Sequence, residues 1–339
     1  MTKTTTLNEI VESGSTTHTN SLQRFRGFMA SSGGQVAIMW ALVVLLVPAS
    51  RLFSSNFPSA AMVNSTIMLG LFLAVVAFGQ GIVILSGGID LSVPAAIALS
   101  AFFTGYLGTL GFPTPLAVFF GLLIASLVGL VNGLIVSLTN FPPFIVTLAV
   151  GTIATALLLG LSQGQPGQNS PPELVLLFNG DLNFFGVAPS LLLLVIVLVV
   201  GYLVQSRTTF GRSVYGIGNS VKAARIARIP VRRTAFLVYW VAGIAYGLAG
   251  VLLLGYGSGS DLNIGNSWLL PSIAVVVVGG SSISGGTGNY AGTVAAALLI
   301  TLLSIDISAA GFPEGVKQVL YGSIVLLALL LSKIGGGRR

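Results

Sequence analysis

The sequence contains no cysteine and very little charge. The absence of cysteine from the 339 residues excludes disulfide bonds, thiolate catalysis and cysteine-ligated metal sites. Charged residues make up 7% of the chain, against about 25% in soluble domains, while 54% of the residues are hydrophobic. A soluble fold of this size exposes too much surface to hide so many apolar side chains. These proportions predict a membrane protein and exclude a soluble enzyme, a secreted disulfide-rich domain and a free nucleic-acid-binding protein.

Acidic residues and histidine are also scarce. The chain has eight Asp and Glu residues and a single His, which is His18 in the polar N-terminal segment. The apolar runs therefore lack the groups that a proton relay needs, and no nucleophile–base pair or metal cluster is visible. No Gly-x-x-x-x-Gly-Lys-[Ser/Thr] phosphate-binding loop occurs either. We expect this chain to be no enzyme and to carry no metal or cofactor, so that any ATP would be hydrolysed on another chain.

Long apolar runs are abundant. Ten of them approach or reach the roughly 20 residues that a helix needs to cross a bilayer, and the 44 glycines are typical of closely packed transmembrane helices. The predicted fold is all-α and polytopic, with about ten transmembrane helices in a domain at 35–333, a tail at 1–34 and a tail at 334–339. The predicted spans are 35–50, 62–86, 92–110, 114–138, 143–162, 188–206, 234–257, 268–284, 290–308 and 314–333.

Basic residues are concentrated in the loop 207–233, which holds seven of the 15 Lys and Arg residues and no acidic residue. With ten spans and a cytoplasmic N-terminus, this loop and the basic C-terminal tail both lie in the cytoplasm, as the positive-inside rule requires. Nine or eleven spans would place one of the two outside. We therefore predict a multi-pass protein of a bacterial inner membrane with both termini cytoplasmic.

The same loop contains a predicted docking helix. Ser220 can cap a helix that begins at Val221, and Pro230 ends it. Such a short helix is marginal alone, so its own bundle or another protein must hold it. Binding to anionic lipid would explain the charge but not the two central alanines. The predicted docking residues are Ser220, Val221, Lys222, Ala223, Ala224, Arg225, Ile226, Ala227, Arg228 and Ile229.

Two apolar runs are broken by glycine pairs, at Gly87 and, 192 residues later, at Gly279. Irregular backbone at membrane depth persists where it is buried in protein or lines a wet cavity, and it points to a transport path. Simple close packing at glycine explains the pairs equally well. We expect Asp90 to cap a helix starting at 91 or 92. The candidate path residues are Gly87, Gly88, Asp90, Ser92, Asn132, Phe144, Thr147, Gly279, Gly280, Ser281 and Ser282.

Four motifs together resemble the permease subunits of bacterial ABC importers for ribose, galactose, xylose and arabinose. They are Gly87-Gly88-Ile89-Asp90-Leu91-Ser92-Val93, Pro143-Phe144-Ile145-Val146-Thr147-Leu148, Gly218-Asn219 with Ala223-Ala224-Arg225, and Ala274 to Gly286. The resemblance covers about residues 60–330. It departs from the family pattern at Pro94, where a glycine is usual, at Lys222, where an acidic residue is usual, and at Leu270-Pro271, where Glu-Leu-Asp is common.

The resemblance implies an assembly of several chains. Its parts are a second permease copy or a paralogue, two cytoplasmic ATPase domains that bind ATP and Mg²⁺, and an external sugar-binding protein. It also implies that 221–229 couples ATP hydrolysis to alternating access of the transmembrane path to a monosaccharide. A nucleoside, a quorum-signal sugar or a branched-chain amino acid remains an alternative substrate. An ion-coupled secondary transporter and a structural membrane scaffold are the alternatives outside this class.

Overall fold

The computed structural model describes residues 32–52, 59–165, 167–179 and 189–336. These residues form helices joined by turns and longer loops, and most of the predicted tail 1–34 lies outside them. The helices are α1 (Ser32–Ala49), α2 (Ala60–Leu85), α3 (Val93–Thr109), α4 (Thr114–Leu138), α5 (Pro143–Ser162), α6 (Pro172–Asn179), α7 (Pro189–Arg207), α8 (Thr209–Asn219), α9 (Val221–Ile226), α10 (Val231–Tyr256), α11 (Leu269–Val278), α12 (Tyr290–Ala309) and α13 (Glu314–Gly336).

The predicted all-α, polytopic fold is confirmed. Within the described ranges, seven helices are long and apolar enough to cross a membrane, namely α1, α2, α4, α5, α7, α10 and α12. The shorter α3 and α11 are also apolar, and α13 covers the last predicted span. Each predicted span coincides with a helix to within three residues at either end, except at the end of the eighth span.

The eighth span was predicted too long. Helix α11 ends at Val278 rather than at residue 284. Its ten residues rise about 15 Å, which is half of a hydrocarbon layer of about 30 Å. The chain turns at Gly279 and Gly280, where Gly280 has φ +94°. A Cβ on Gly279 would lie 2.5 Å from the backbone nitrogen of Thr293 in α12, so the chain must pass α12 at a residue without a side chain.

The core of the bundle is built on α2 and α10. About 83% of the apolar window of α2 and 72% of that of α10 are buried, against 6% for α1 at the periphery. Helices α4 and α10 approach each other closely because Gly129 and Gly243 face one another across the contact. Small residues at such contacts allow backbones to pack by van der Waals forces where no water drives association.

The bundle has two ends, which differ in charge and in structure. The end at which α8, α9 and the segment 207–233 lie is called here the basic face. The other end, called the opposite face, carries α6 and an isolated backbone bridge between Asn169 and Gly259. From this face, the segment 257–265 descends along α3, and Gly265 contacts the backbone of Pro94 in the first turn of α3. Helix α11 then continues toward the basic face as a half-helix.

Candidate functional site

The turn between α2 and α3 carries a buried polar cluster. Asp90 and Asn132 are fully buried, and Ser92 is 1% exposed. The Ser92 backbone N–H and hydroxyl both donate to Asp90 Oδ1, at 2.8 and 2.6 Å. Asn132 on α4 donates from Nδ2 to the Ser92 hydroxyl at 2.8 Å. Since Asn132 is six residues before the end of α4, the cluster lies about 9 Å inside the basic face, at membrane depth.

Thr147 ties the same turn to α5. Its hydroxyl accepts a hydrogen bond from the Leu91 N–H at 3.0 Å and donates to the Ile89 carbonyl oxygen at 3.2 Å. Helix α3 begins at Val93 with Ser92 as its N-cap residue, so Asp90 stands two residues before the cap that we expected it to occupy. Asp90 instead fixes the turn that leads into α3, by accepting from the N-cap residue itself.

Several buried polar atoms in this region lack a protein partner. Among the described residues these include Asp90 Oδ2, Asn132 Oδ1 and the hydroxyl of Tyr239. The Tyr239 hydroxyl lies against Gly88, where a Cβ would overlap it. Each unpaired buried group costs about 1–3 kcal/mol. A core in which every polar atom is paired would avoid this cost. Unpaired buried polar groups are therefore expected at places that a protein uses for function.

The second glycine break, at 279–289, packs against the first. The Gly286 N–H donates to the Leu85 carbonyl oxygen, at the end of α2, over 2.9 Å. A Cβ on Gly285 would lie 3.0 Å from the backbone nitrogen of Gly87. The weak sequence echo between the two breaks thus corresponds to a direct contact at the basic face. The two unwound segments therefore pack together as one unit rather than separately.

Helix α8 holds this unit, and the sequence analysis did not predict it. Asn219 donates from Nδ2 to the Gly286 carbonyl oxygen at 2.8 Å and to the Tyr215 carbonyl oxygen at 2.9 Å. The Tyr215 hydroxyl donates to the Gly288 carbonyl oxygen at 2.9 Å and accepts from Gln205. Burial raises the pKa of Tyr215 above its usual value, so the phenol keeps the proton that it donates. The N-cap residue Thr208 was the available sequence signal for this helix.

The predicted docking segment is shorter than expected. Helix α9 spans Val221–Ile226 and is capped by the Ser220 hydroxyl, which accepts from the Ala223 N–H at 3.3 Å. The prediction that the helix runs to Ile229 is wrong. Ala227 is the C-cap, and Arg228 has φ +57°. The N–H groups of Ile229 and Arg228 return to the carbonyl oxygens of Ala224 and Arg225, which is a Schellman motif.

One side of α9 faces the protein and the other faces away from it. Ala224 is 3% exposed, whereas Val221 is 43% and Ile226 85% exposed. Ile229 reaches the backbone of Gly216 in α8, where a Cβ would lie 2.6 Å from its Cδ1. The bundle therefore holds α9 through α8, and α9 still presents two apolar side chains on a face that is otherwise basic.

A third feature is a pair of cavities on the opposite-face side of α11. One has a volume of about 240 Å³ and the other about 270 Å³, and Ser267, Pro271, Glu314 and Tyr321 line both. They exist because α11 fills only half of the membrane depth. The walls come from α2, α12 and α13, and from Asn266–Trp268, a 3₁₀ turn that precedes α11.

The structure brings most of the predicted path residues together, but not in one place. Asp90, Ser92, Asn132 and Thr147 share the first cluster, while Gly279 to Ser282 belong to the second break. Phe144 is 50% exposed and stands outside both. None of the predicted path residues lines the two cavities, whose lining residues the sequence analysis missed.

Together, these features define a class of protein. A polytopic helical bundle with unwound segments at membrane depth, and with a short helix displayed on a basic face, is typical of a membrane permease. Residues 62–330 match the family described as the branched-chain amino acid transport system permease component. The chain belongs to this family, and the predicted resemblance to ABC importer permeases of the monosaccharide type is confirmed.

Individual relatives are similar along most of the chain. The autoinducer 2 import system permease protein LsrD of Photorhabdus laumondii is 34% identical over 302 residues, covering 86% of this chain and 90% of that protein. The proteins of the same name from Photorhabdus luminescens and Salmonella typhimurium are 35% and 33% identical, each covering 76% of this chain and 79% of theirs. No solved structure matches.

Proposed function

We propose that this chain is the permease subunit of an ATP-driven importer that carries autoinducer 2 or a closely related small sugar across the inner membrane. The observation that carries this proposal is the 34% identity with a permease of an autoinducer 2 import system, over 90% of that protein's length. The sequence predicted a monosaccharide substrate and left a quorum-signal sugar as one alternative. The proposal adopts that alternative.

The sidedness follows from charge. The basic face holds Arg212, Arg225 and Arg232 among seven basic residues in 207–233, with no acidic residue in that range. By the positive-inside rule this face is cytoplasmic. The opposite face, with the exposed Glu173 and Asp261, is then external and receives the solute from a substrate-binding protein.

The docking of an ATPase is supported by the exposed side of α9. An isoleucine that is 85% exposed at a cytoplasmic face, Ile226, offers apolar area that a partner can bury. We assign ATP and Mg²⁺ to that partner chain. Its movement would reach α9 first, then α8 through Ile229 and Gly216, and then both glycine breaks through Asn219. This chain of contacts ties the docking surface to the two places where the transmembrane helices are unwound.

Uptake tests the proposal. Cells that express the chain together with the ATPase and the substrate-binding protein of an autoinducer 2 importer should accumulate autoinducer 2. Depletion of ATP should stop accumulation, while proton and sodium uncouplers leave it intact. Cells that carry the same genes without this chain are the control. Uptake that follows an ion gradient instead would contradict the ATP-driven mechanism. ATP-dependent uptake of leucine but not of autoinducer 2 would contradict the assigned substrate.

A further inference from the structure

We propose that the two adjoining cavities beside α11 form a binding site, within a single protomer, for a neutral polyhydroxylated solute of monosaccharide size. This inference rests on the proposed function and adds a site to it. Of the residues that line the site, none belongs to either glycine break or to the docking segment.

The size suits a small solute. The volumes of about 240 and 270 Å³ lie below the roughly 300 Å³ at which pockets for drug-sized ligands begin. Because Ser267, Pro271, Glu314 and Tyr321 line both cavities, one ligand can contact both. Either cavity is large enough for a monosaccharide.

The lining combines hydrogen-bonding groups with aromatic rings. Hydroxyl groups come from Ser267, Thr301, Ser304 and Tyr321, and the indole of Trp268 lines the first cavity. Asn266 and Gln318 add amide groups in the second cavity. A hydroxyl group can both donate and accept a hydrogen bond, and so can each hydroxyl group of a polyol. The hydroxyl groups of the site and of the solute can therefore pair in many orientations. Aromatic rings offer apolar area to the C–H groups of such a molecule while their polar edges stay hydrogen-bonded.

The charge of the site is balanced. The charged side chains that line it are Glu314 and Lys317, which form a salt bridge of 2.7 Å, and the Lys317 side chain is only 14% exposed. A zwitterionic amino acid would compete with this pair for charged partners. A neutral polyol leaves the pair in place. The lining therefore favours a neutral solute over leucine, although the family description refers to branched-chain amino acids.

The site lies between the opposite face and the second glycine break. Tyr321 stands seven residues into α13, about 10 Å below the opposite face, and Ile300 stands about 15 Å above the basic-face end of α12. Pro271, in the first turn of α11, lines both cavities. Helix α11 runs from there to Gly279 and the second break. A solute in the site contacts the half-helix whose other end is linked to α8.

The experiment uses the permease with its co-purifying ATPase in lipid nanodiscs, without the binding protein, because the site belongs to the permease. Saturation-transfer-difference NMR detects weak ligands, with ribose and autoinducer 2 as probes and leucine as competitor. We expect a saturable signal that leucine does not reduce. Ser304→Leu should abolish the signal by filling the cavity, and Tyr321→Phe should weaken binding roughly fivefold by removing one hydroxyl. Thr152→Leu, on an exposed position of α5, is the matched control and should change nothing.

The outcomes separate this inference from the proposed function. A missing signal in the wild-type complex, a signal that persists in both Ser304→Leu and Tyr321→Phe, or competition by leucine would overturn the site. ATP-driven uptake, measured on the same preparations with binding protein, reports on the proposed function. Uptake without a cavity signal overturns the site alone, whereas a cavity signal without ATP-driven uptake overturns the proposed function and leaves the site standing as a sugar-binding cavity.

Discussion

Asn219 is the residue whose replacement should separate ATP hydrolysis from transport most cleanly. Its amide donates to the Gly286 carbonyl oxygen at 2.8 Å and to the Tyr215 carbonyl oxygen at 2.9 Å, and so fastens the second glycine break to α8. Helix α9, the proposed docking helix, begins directly after Ser220. Asn219→Asp keeps the size of the side chain but places a carboxylate oxygen where the donor was, opposite two carbonyl oxygens.

The magnitude follows from the one hydrogen bond that crosses to the break, because the bond to Tyr215 lies within α8. Such a bond is worth about 1 kcal/mol, so Asn219→Ala should weaken the contact between α8 and the break by about that amount. A change of about 1 kcal/mol shifts a two-state equilibrium about fivefold. Asn219→Asp should exceed this, because the carboxylate also repels both carbonyl oxygens. Helix α8 and the proposed ATPase surface on α9 keep their other contacts, since Tyr215 still donates to Gly288.

The assay measures solute uptake and ATP hydrolysis on the same reconstituted importer. We expect Asn219→Asp to lower uptake at least tenfold while ATP hydrolysis stays within about twofold of the wild type. Ser213→Ala is the control on the same helix, because the Ser213 hydroxyl donates only to Thr209 within α8. Wild-type uptake in Asn219→Asp would refute the reasoning, since it would show that the break moves independently of α8.

Three further predictions concern single positions. Ile226→Glu should abolish co-purification of the ATPase, whereas Ile226→Leu should retain it, because the side chain is 85% exposed and apolar. An ATPase that still co-purifies with the Glu variant would contradict docking at α9. Gly279→Ala should reduce the yield of assembled protein, since its Cβ would lie 2.5 Å from the Thr293 nitrogen. Gly160→Ala should not reduce the yield, because nothing lies within 4 Å of its Cβ, and equal yields of the two variants by gel filtration would refute this contact. Arg228→Gly should stabilise the 221–229 segment by about 1 kcal/mol by removing the cost of a left-handed conformation. Hydrogen exchange of the backbone amides in that segment should slow, and faster exchange would contradict the geometry.

Apolar length was enough to predict the spans, because a helix that crosses a bilayer must be apolar along its whole length. It failed at the end of α11. The run Val275–Val278 continues into a glycine pair and reads as one hydrophobic segment. The helix nevertheless ends there in a Schellman motif, in which the N–H groups of Gly280 and Ser281 donate to the carbonyl oxygens of Val277 and Val276. The glycine pair was therefore the available local signal, and the close approach of Thr293 explains why residue 279 has no side chain.

Helix α8 was missed for a different reason. Three glycines, at 211, 216 and 218, lower its helix propensity and suggested a loop. The structure explains them by close approach, since a Cβ on Gly218 would overlap the Leu85 carbonyl oxygen and that on Gly216 would meet Ile229. Tertiary contacts require glycine there and also supply the stability that the propensity lacks.

The site residues also divide into those that the local sequence could predict and those that only the fold brings together. The Asp90 turn was predictable, because a glycine pair followed by Asp and Ser has a recognisable local chemistry. The two cavities beside α11 were not, since Ser267, Thr301 and Tyr321 come from three separate segments. Each of these residues, taken alone, is an ordinary polar side chain in an apolar run.

The central claim is that this chain works with an ATPase on another chain. The most direct test is purification of the protein from native membranes in mild detergent, followed by identification of the co-purifying chains by mass spectrometry. The account predicts a stoichiometric ATPase, together with a second permease copy or a paralogue. A protein that purifies alone, and that transports alone in liposomes under an ion gradient, would contradict it.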